Sequence, residues 1–122
     1  MQPGKPTIFG VHPEALVFGL PGNPVSSFIQ FELLVRPLIY KMMGYQWDPL
    51  TIALPMKDSF QRKSADRHAA IPVLITKDGF VSPVEYHGSA HISALTLADG
   101  IITMPVGKKR IEKEEMVYVR QV

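Results

Sequence analysis

No cysteine occurs among the 122 residues. Its absence excludes disulfides and any chemistry that needs a thiolate, and it accords with a reducing compartment. Charge of one sign is also scarce. Thirteen Lys and Arg stand against 11 Asp and Glu, a formal +2, too little to point to nucleic acid. The one dense basic run, Lys108-Lys109-Arg110, is followed by Glu112, Glu114 and Glu115 and reads as a solvated turn. No apolar run approaches the length of a membrane span, and the N-terminus carries no signal-peptide pattern. The expectation is a soluble, cytoplasmic protein with neither a membrane nor a nucleic-acid partner. Catalytic signatures are thin as well. There is no G-x-S-x-G, and His12, His68, His87 and His91 lack metal-ligand spacing, the last two being separated by Gly88 and Ser89. Asp58, Asp66, Asp78 and Asp99 are scattered, so no cluster is expected to hold magnesium.

What is present suits a folded chain: 46% hydrophobic and 20% charged residues allow a core and argue against disorder. The 11 prolines fall at element edges, which implies short elements and tight connections. Pro6 to His12 reads as a strand. Ala15 to Leu20 is a continuous apolar run, as in a strand buried on both faces of an α/β sheet. The loop Leu20-Pro21-Gly22-Asn23-Pro24 then leads into a helix. Asn23 is a good N-cap, and Pro24 suits the first helical position, where its missing N–H costs nothing. Pro24, Phe28, Phe31, Val35, Leu38 and Met42 recur at spacings of four and three and predict one apolar face. Ile29, Leu33, Leu34 and Ile39 widen it, so a largely buried helix is expected, kinked at Pro37 and stopped at Gly44.

Beyond Gly44 the pattern changes to short strand-like runs at Thr51 to Met56, His68 to Thr76, Phe80 to Tyr86, Ile101 to Pro105 and Met116 to Val122. Lys77-Asp78-Gly79 marks a tight hairpin, and Ser89 to Asp99 a short helix capped by Ser89 and ended by Gly100. This is an α+β chain of two unlike parts. Residues 1–45 carry two strands and a helix, too little to close an α/β sheet, and residues 46–122 suggest a small barrel or half-open sandwich. The first part points to a fragment or an obligate partner.

Chemistry is best sought at the strand–loop–helix junction. A helix start offers unpaired N–H groups and the positive end of the macrodipole, which suit an anion. Gly22 permits close approach of a ligand, while Ser26 and Ser27 add hydroxyls. Lys5 and the Gly88-Ser89 pair are weaker candidates. From the residues alone, an ordinary turn, an ordinary cap and a surface lysine are the plainer reading of the same positions.

The segments Pro3-Gly4-Lys5-Pro6-Thr7, Val17-Phe18-Gly19-Leu20-Pro21-Gly22-Asn23-Pro24-Val25-Ser26, Phe31-Glu32-Leu33 and Arg36-Pro37-Leu38 resemble the end of the molybdopterin-binding domain of the molybdopterin molybdenumtransferase family (MoeA and the matching domain of gephyrin). Gly88-Ser89, Leu95 to Pro105 and Val117-Tyr118-Val119 resemble that family's C-terminal β-barrel. The resemblance spans essentially the whole chain. It implies that residues 1–45 are the C-terminal part of the α/β molybdopterin-binding domain and residues 46–122 the barrel. It further implies a homodimer that takes adenylylated molybdopterin and molybdate, with magnesium, and releases AMP. The magnesium ligands lie in domains outside this stretch. By position, Lys5, Pro21, Gly22, Asn23, Pro24 and Ser26 would line the molybdopterin side of the site, with Ser89 and Arg67 facing it from the barrel.

Two departures stand out. Gln2 occupies a position where the family often has lysine, and a family arginine falls on Pro72, leaving Arg62, Lys63 or Arg67 to compensate. Three functions follow as expectations: part of an enzyme that is inactive alone, a non-catalytic module for an anion or pterin phosphate, and a protein-interaction scaffold.

Overall fold

Pro13 and Glu14 reverse the chain between two strands, β1 (Ile8–His12) and β2 (Ala15–Gly19), paired antiparallel from Ile8↔Gly19 to His12↔Ala15. The structure, a computed structural model, describes residues 7–85 and 95–122. It divides the chain into units of residues 2–48 and 49–122. The run Ala15 to Leu20 thus forms a strand, but in a two-stranded hairpin rather than a strand covered on both faces. Ile8, Val11 and Val17 remain 66, 75 and 57% exposed, because a hairpin gives each strand only one neighbour in its sheet. Phe9 and Phe18 pair across it with ring centroids 5.0 Å apart. With Leu34 and Leu38 they line an apolar hollow of about 320 Å³.

The helical run is continuous but not uniform: α1 (Pro24–Gln30), a π-helical turn (Phe31–Val35) and α2 (Arg36–Met42). Pro37 lacks an N–H, and its ring crowds the carbonyl four residues back. The wide turn just before it, where the Arg36 N–H donates to the Phe31 carbonyl, takes up that misfit. The wide turn also shifts the helical phase. Val25, Ser26, Ile29, Gln30 and Glu32 are the buried residues, whereas Phe31 and Met42 on the expected face are 40% and 69% exposed. The largely buried helix read from the spacing is therefore not what forms. A polar and aromatic ladder occupies part of the inner face instead. Glu32 pairs with Arg36 at 3.0 Å, the Arg36 guanidinium lies 4.1 Å over the Trp47 ring, and Tyr40 stacks on Trp47 at 4.7 Å. Burial works against the Arg36 charge, but the hydrogen bond and charge of Glu32 outweigh it and raise the pKa.

Among the described residues of the second unit seven strands follow: β3 (Thr51–Pro55), β4 (Phe60–Gln61), β5 (Ala69–Ile75), β6 (Val81–Pro83), β7 (Gly100–Met104), β8 (Arg110–Ile111) and β9 (Met116–Gln121). Five of them make one antiparallel sheet in the order β3-β9-β7-β5-β6, and β4 and β8 form a separate ribbon. The sheet curls into a half-barrel. Met56 bridges Val81 in parallel, and the Lys57 N–H donates to the Val81 carbonyl at 2.9 Å, which ties the end of β3 to β6. Inside lie Met56, Ala69, Val73, Val81, Ile102, Met104, Ile111, Val117 and Val119, all buried. Alternation with period two supplies this set along β9, where Val117 and Val119 are inward and Met116 and Tyr118 exposed.

The strands expected from the sequence match β3, β5, β6, β7 and β9. The turn at Lys77-Asp78-Gly79 forms as well: Gly79 sits at φ +85°, the Thr76 N–H donates to Phe80, and the Gly79 N–H returns to Thr76. β4 and β8, two residues each, are too short to leave a periodic signal. The helix expected over Ser89 to Asp99 falls largely outside the described residues, and only its end, with Leu95 buried, is seen.

Two predictions follow from this packing. A Cβ at Gly100 would lie 2.4 Å from Val119 Cγ1 and 2.6 Å from the Arg120 carbonyl oxygen. Since backbone cannot swing aside as a side-chain tip can, Gly100→Ala is expected to destabilise the half-barrel by about 1–3 kcal/mol, read as a lower denaturation midpoint in urea. The second concerns acid. A hydrogen bond from Lys108, aided by the Glu112 N–H, holds the Glu115 carboxyl below its ordinary pKa. Its contribution is thus present above the ordinary glutamate range and is lost as pH falls through the depressed value. Lys108→Met should flatten that part of the acid dependence, seen by comparing urea midpoints at pH 7 and pH 3.

Candidate functional site at the strand–helix junction

The loop after β2 passes into α1 through Pro21, Gly22 and Asn23. Asn23 is extended (φ −72°, ψ 125°), and its side-chain oxygen accepts from the N–H groups of Val25 at 3.0 Å and Ser26 at 3.3 Å. The Ser27 N–H donates to the Asn23 carbonyl at 2.9 Å, and the Ser27 hydroxyl donates to the Pro21 carbonyl. Pro24 has no N–H to satisfy. The first-turn amides that sequence reasoning left open for an anion are therefore already occupied by the cap. Among the described residues the free amides of the junction are those of Gly22 and Asn23, just outside the helix.

The rest of the junction has the form of a ligand-facing loop. Nothing lies within 4 Å of a Cβ built on Gly22, so its outer face is open. Pro21 and Ser26 are buried, while Gly22 and Asn23 are exposed. Ser26 faces inward at 8% exposure, which makes it a part of the loop's support as much as of its surface. The macrodipole of the helical run still favours an anion beside these residues. Pro21, Gly22, Asn23, Pro24 and Ser26 come together in this unit. Lys5 and Ser89 lie outside the described residues, and Arg67 belongs to the other unit.

In the half-barrel the three basic candidates separate. Arg62 donates to three carbonyls, Lys108 at 2.8 Å, Pro105 at 2.8 Å and Arg67, so it staples the turn between β7 and β8 to the loop between β4 and β5 and is not available to a ligand. Arg67 is half-buried, and among the described residues its guanidinium has no partner; Lys63 is exposed. Sequence reasoning missed the staple, since a lone arginine between short strands carries no local signal of it.

Residues 54–122, more than half of the chain, match the MoeA C-terminal region (domain IV). The chain belongs to the MoeA family. A putative molybdopterin biosynthesis protein from Methanocaldococcus jannaschii is 33% identical over 98% of this chain and 27% of its own length. A molybdopterin molybdenumtransferase from Haemophilus influenzae is 52% identical over a 48-residue stretch, 38% of this chain and 12% of its own length. Among solved structures, the MoeA protein from Pyrococcus horikoshii superposes with a TM-score of 0.83 at 30% identity, covering 98% of this chain and 29% of that one. The chain thus spans under a third of the length of these MoeA relatives.

Asn23 is the residue that shapes the junction, so its removal is the informative change. Asn23→Ala is expected to cost about 0.5–2 kcal/mol and to speed amide exchange at Val25 and Ser26, measured by hydrogen exchange. Unchanged exchange there would remove Asn23 from its capping role.

Proposed function

We propose that the chain serves molybdenum cofactor biosynthesis as the C-terminal part of an enzyme that inserts molybdate into adenylylated molybdopterin. The observation that carries this reading is the family match joined to an open, capped Pro21-Gly22-Asn23-Pro24 loop. On this reading residues 1–45 are the C-terminal part of a molybdopterin-binding α/β domain, and residues 46–122 are the C-terminal barrel. The protein works in the cytoplasm as a homodimer. No described helix is long and apolar enough to cross a membrane.

The substrate's phosphate end sits against the Gly22 and Asn23 amides, where the macrodipole favours negative charge. Lys5 adds a positive charge, and Pro21 and Pro24 hold the loop's shape. Ser26 supports the loop from beneath, and the resemblance to the family adds Ser89 and Arg67 as substrate-binding residues. This chain's contribution is binding and orientation, which matter because small misplacement of reacting groups already loses much of the rate. Magnesium is implied for the family. Among the described residues no three His, Asp or Glu side chains gather to hold a metal ion, and the resemblance implies that the magnesium ligands belong to other domains of the family.

Activity is tested at two levels. In a full-length family member carrying this loop, Gly22→Val is expected to block close approach and to weaken substrate binding sharply. Ser26→Ala, a change beneath the loop and not on its ligand face, should weaken it only through the loop's shape, by at most about 1 kcal/mol. Unaltered affinity in the Gly22→Val enzyme would take the loop out of the site. The purified 122-residue chain, given adenylylated molybdopterin and molybdate, is expected to form no cofactor and to elute larger than a monomer. Its exposed hairpin and helix surfaces favour association. Robust turnover by the isolated chain would sink the view that the site is shared with other segments.

A further inference from the structure

We propose that the hollow between β6 and the Asp58–Phe60 segment is a docking site for an extended, basic segment of a protein partner, added as a strand. This goes beyond cofactor synthesis and concerns the half-barrel alone.

The geometry begins at a bridge that ties the sheet's two ends. Met56 and Val81 pair in parallel, so the chains leave that point side by side in the same direction. They do not continue the ladder. Instead they part around a hollow of about 550 Å³ lined by Asp58, Ser59, Phe60, Ser82, Pro83, Val84 and Glu85, within the size range of ligand sites.

The β6 side of this hollow has unpaired backbone. Ser82 pairs with Leu74, and the Val84 N–H donates to the Pro72 carbonyl at 2.9 Å, so residues 82 and 84 turn their polar groups toward β5. Residues 81, 83 and 85 turn theirs the other way. The Val81 carbonyl takes the Lys57 N–H. Among the described residues the Pro83 carbonyl and the Glu85 N–H have no partner. An acceptor at one residue and a donor two residues on is what one residue of an incoming parallel strand satisfies, with its own N–H and C=O. The incoming strand would resume the ladder that Lys57 leaves.

Side chains decide what kind of strand fits. Asp58 and Glu85 are exposed carboxylates, one on each wall, and among the described residues neither has an ion-pair or hydrogen-bond partner. Lys57, the nearest lysine in sequence, pairs with neither carboxylate among the described residues. Phe60, Pro83 and Val84 give the hollow apolar lining. A strand alternating cationic and apolar side chains matches both features, whereas an acidic strand meets like charge on both walls.

The test uses the full 122-residue chain and a fluorescein-labelled Lys-Val-Lys-Val-Arg-Val peptide, followed by fluorescence anisotropy at low salt. Saturable binding is expected. Asp58→Asn and Glu85→Gln should each weaken it about two- to fivefold, the range of exposed ion pairs, and Asp66→Asn, elsewhere on the half-barrel, should leave it unchanged. Methylating alternate peptide nitrogens should abolish binding, because strand addition needs those N–H groups, and a Glu-for-Lys peptide should not bind. Absence of binding would overturn the proposal. So would full affinity in the Asp58→Asn, Glu85→Gln double variant, an equal loss in Asp66→Asn, or equal binding of the methylated peptide.

Discussion

The side chain of Asn23 governs the first unit, because it decides both that a helix starts there and what remains for a ligand. Its oxygen receives two first-turn amides and its carbonyl a third. A helix start without such a cap would present those donors to solvent or to an anion. Here they are spent on the fold, and the open donors move one step outward, to Gly22 and Asn23. The electrostatic preference for negative charge survives this, since the macrodipole comes from the aligned peptides and not from any one free N–H. The junction is therefore better described as a rigid loop carrying a dipole than as an uncapped helix end.

The same accounting of backbone groups shapes the half-barrel. A buried or edge polar group has to find a partner in the chain, in water or in a ligand. Arg62 supplies partners to carbonyls at Arg67, Pro105 and Lys108, where turns flanking two-residue strands leave acceptors stranded. Lys57 supplies one to Val81. Past that point no further pair forms between the two walls among the described residues, and the curled sheet opens at Pro83 and Glu85. A proline in β6 fits such an edge, since it carries no outward N–H to invite uncontrolled pairing.

Some of this was legible in the sequence. Asn23-Pro24 announces a helix start because each residue has a distinct physical preference for its position, and both preferences are met. Lys77-Asp78-Gly79 announces its turn because Gly79 alone tolerates φ +85° at no cost. The half-barrel strands were legible as short strand-like runs set off by turn residues. The helix face was not. Its phase depends on the π turn before Pro37, and counting by three and four assumes regular winding on both sides. The hairpin of β1 and β2 was hidden for a similar reason. A continuous apolar run records that a strand is to be buried, not which neighbour it takes. The candidate site was legible in part: the loop residues converge as read, but the use of their amides could not be seen until Asn23 had a conformation.

The two units differ in how completely they satisfy themselves. The half-barrel encloses a contiguous core in which Met56, Val73, Val81, Ile102, Met104 and Ile111 are essentially inaccessible, and each such side chain removes apolar surface from water worth roughly 1.5–3 kcal/mol. The hairpin–helix unit encloses far less. Val25 and Ile29 are buried, while Ile8, Phe9, Val11, Val17, Met42 and Met43 are each more than half exposed. Its order leans on directional contacts instead: the Asn23 cap, the Glu32–Arg36 pair and the Arg36–Trp47–Tyr40 stack. Such contacts fix geometry well, but each contributes only of the order of 1 kcal/mol. The loop that is proposed to hold the substrate is thus carried by the unit with the weaker core, and its rigidity comes from Asn23 and the two prolines, with little help from packing beneath. Burial of the exposed hairpin and helix surface against further protein would therefore do more for this loop than for the half-barrel, stiffening the site on the side where substrate binds.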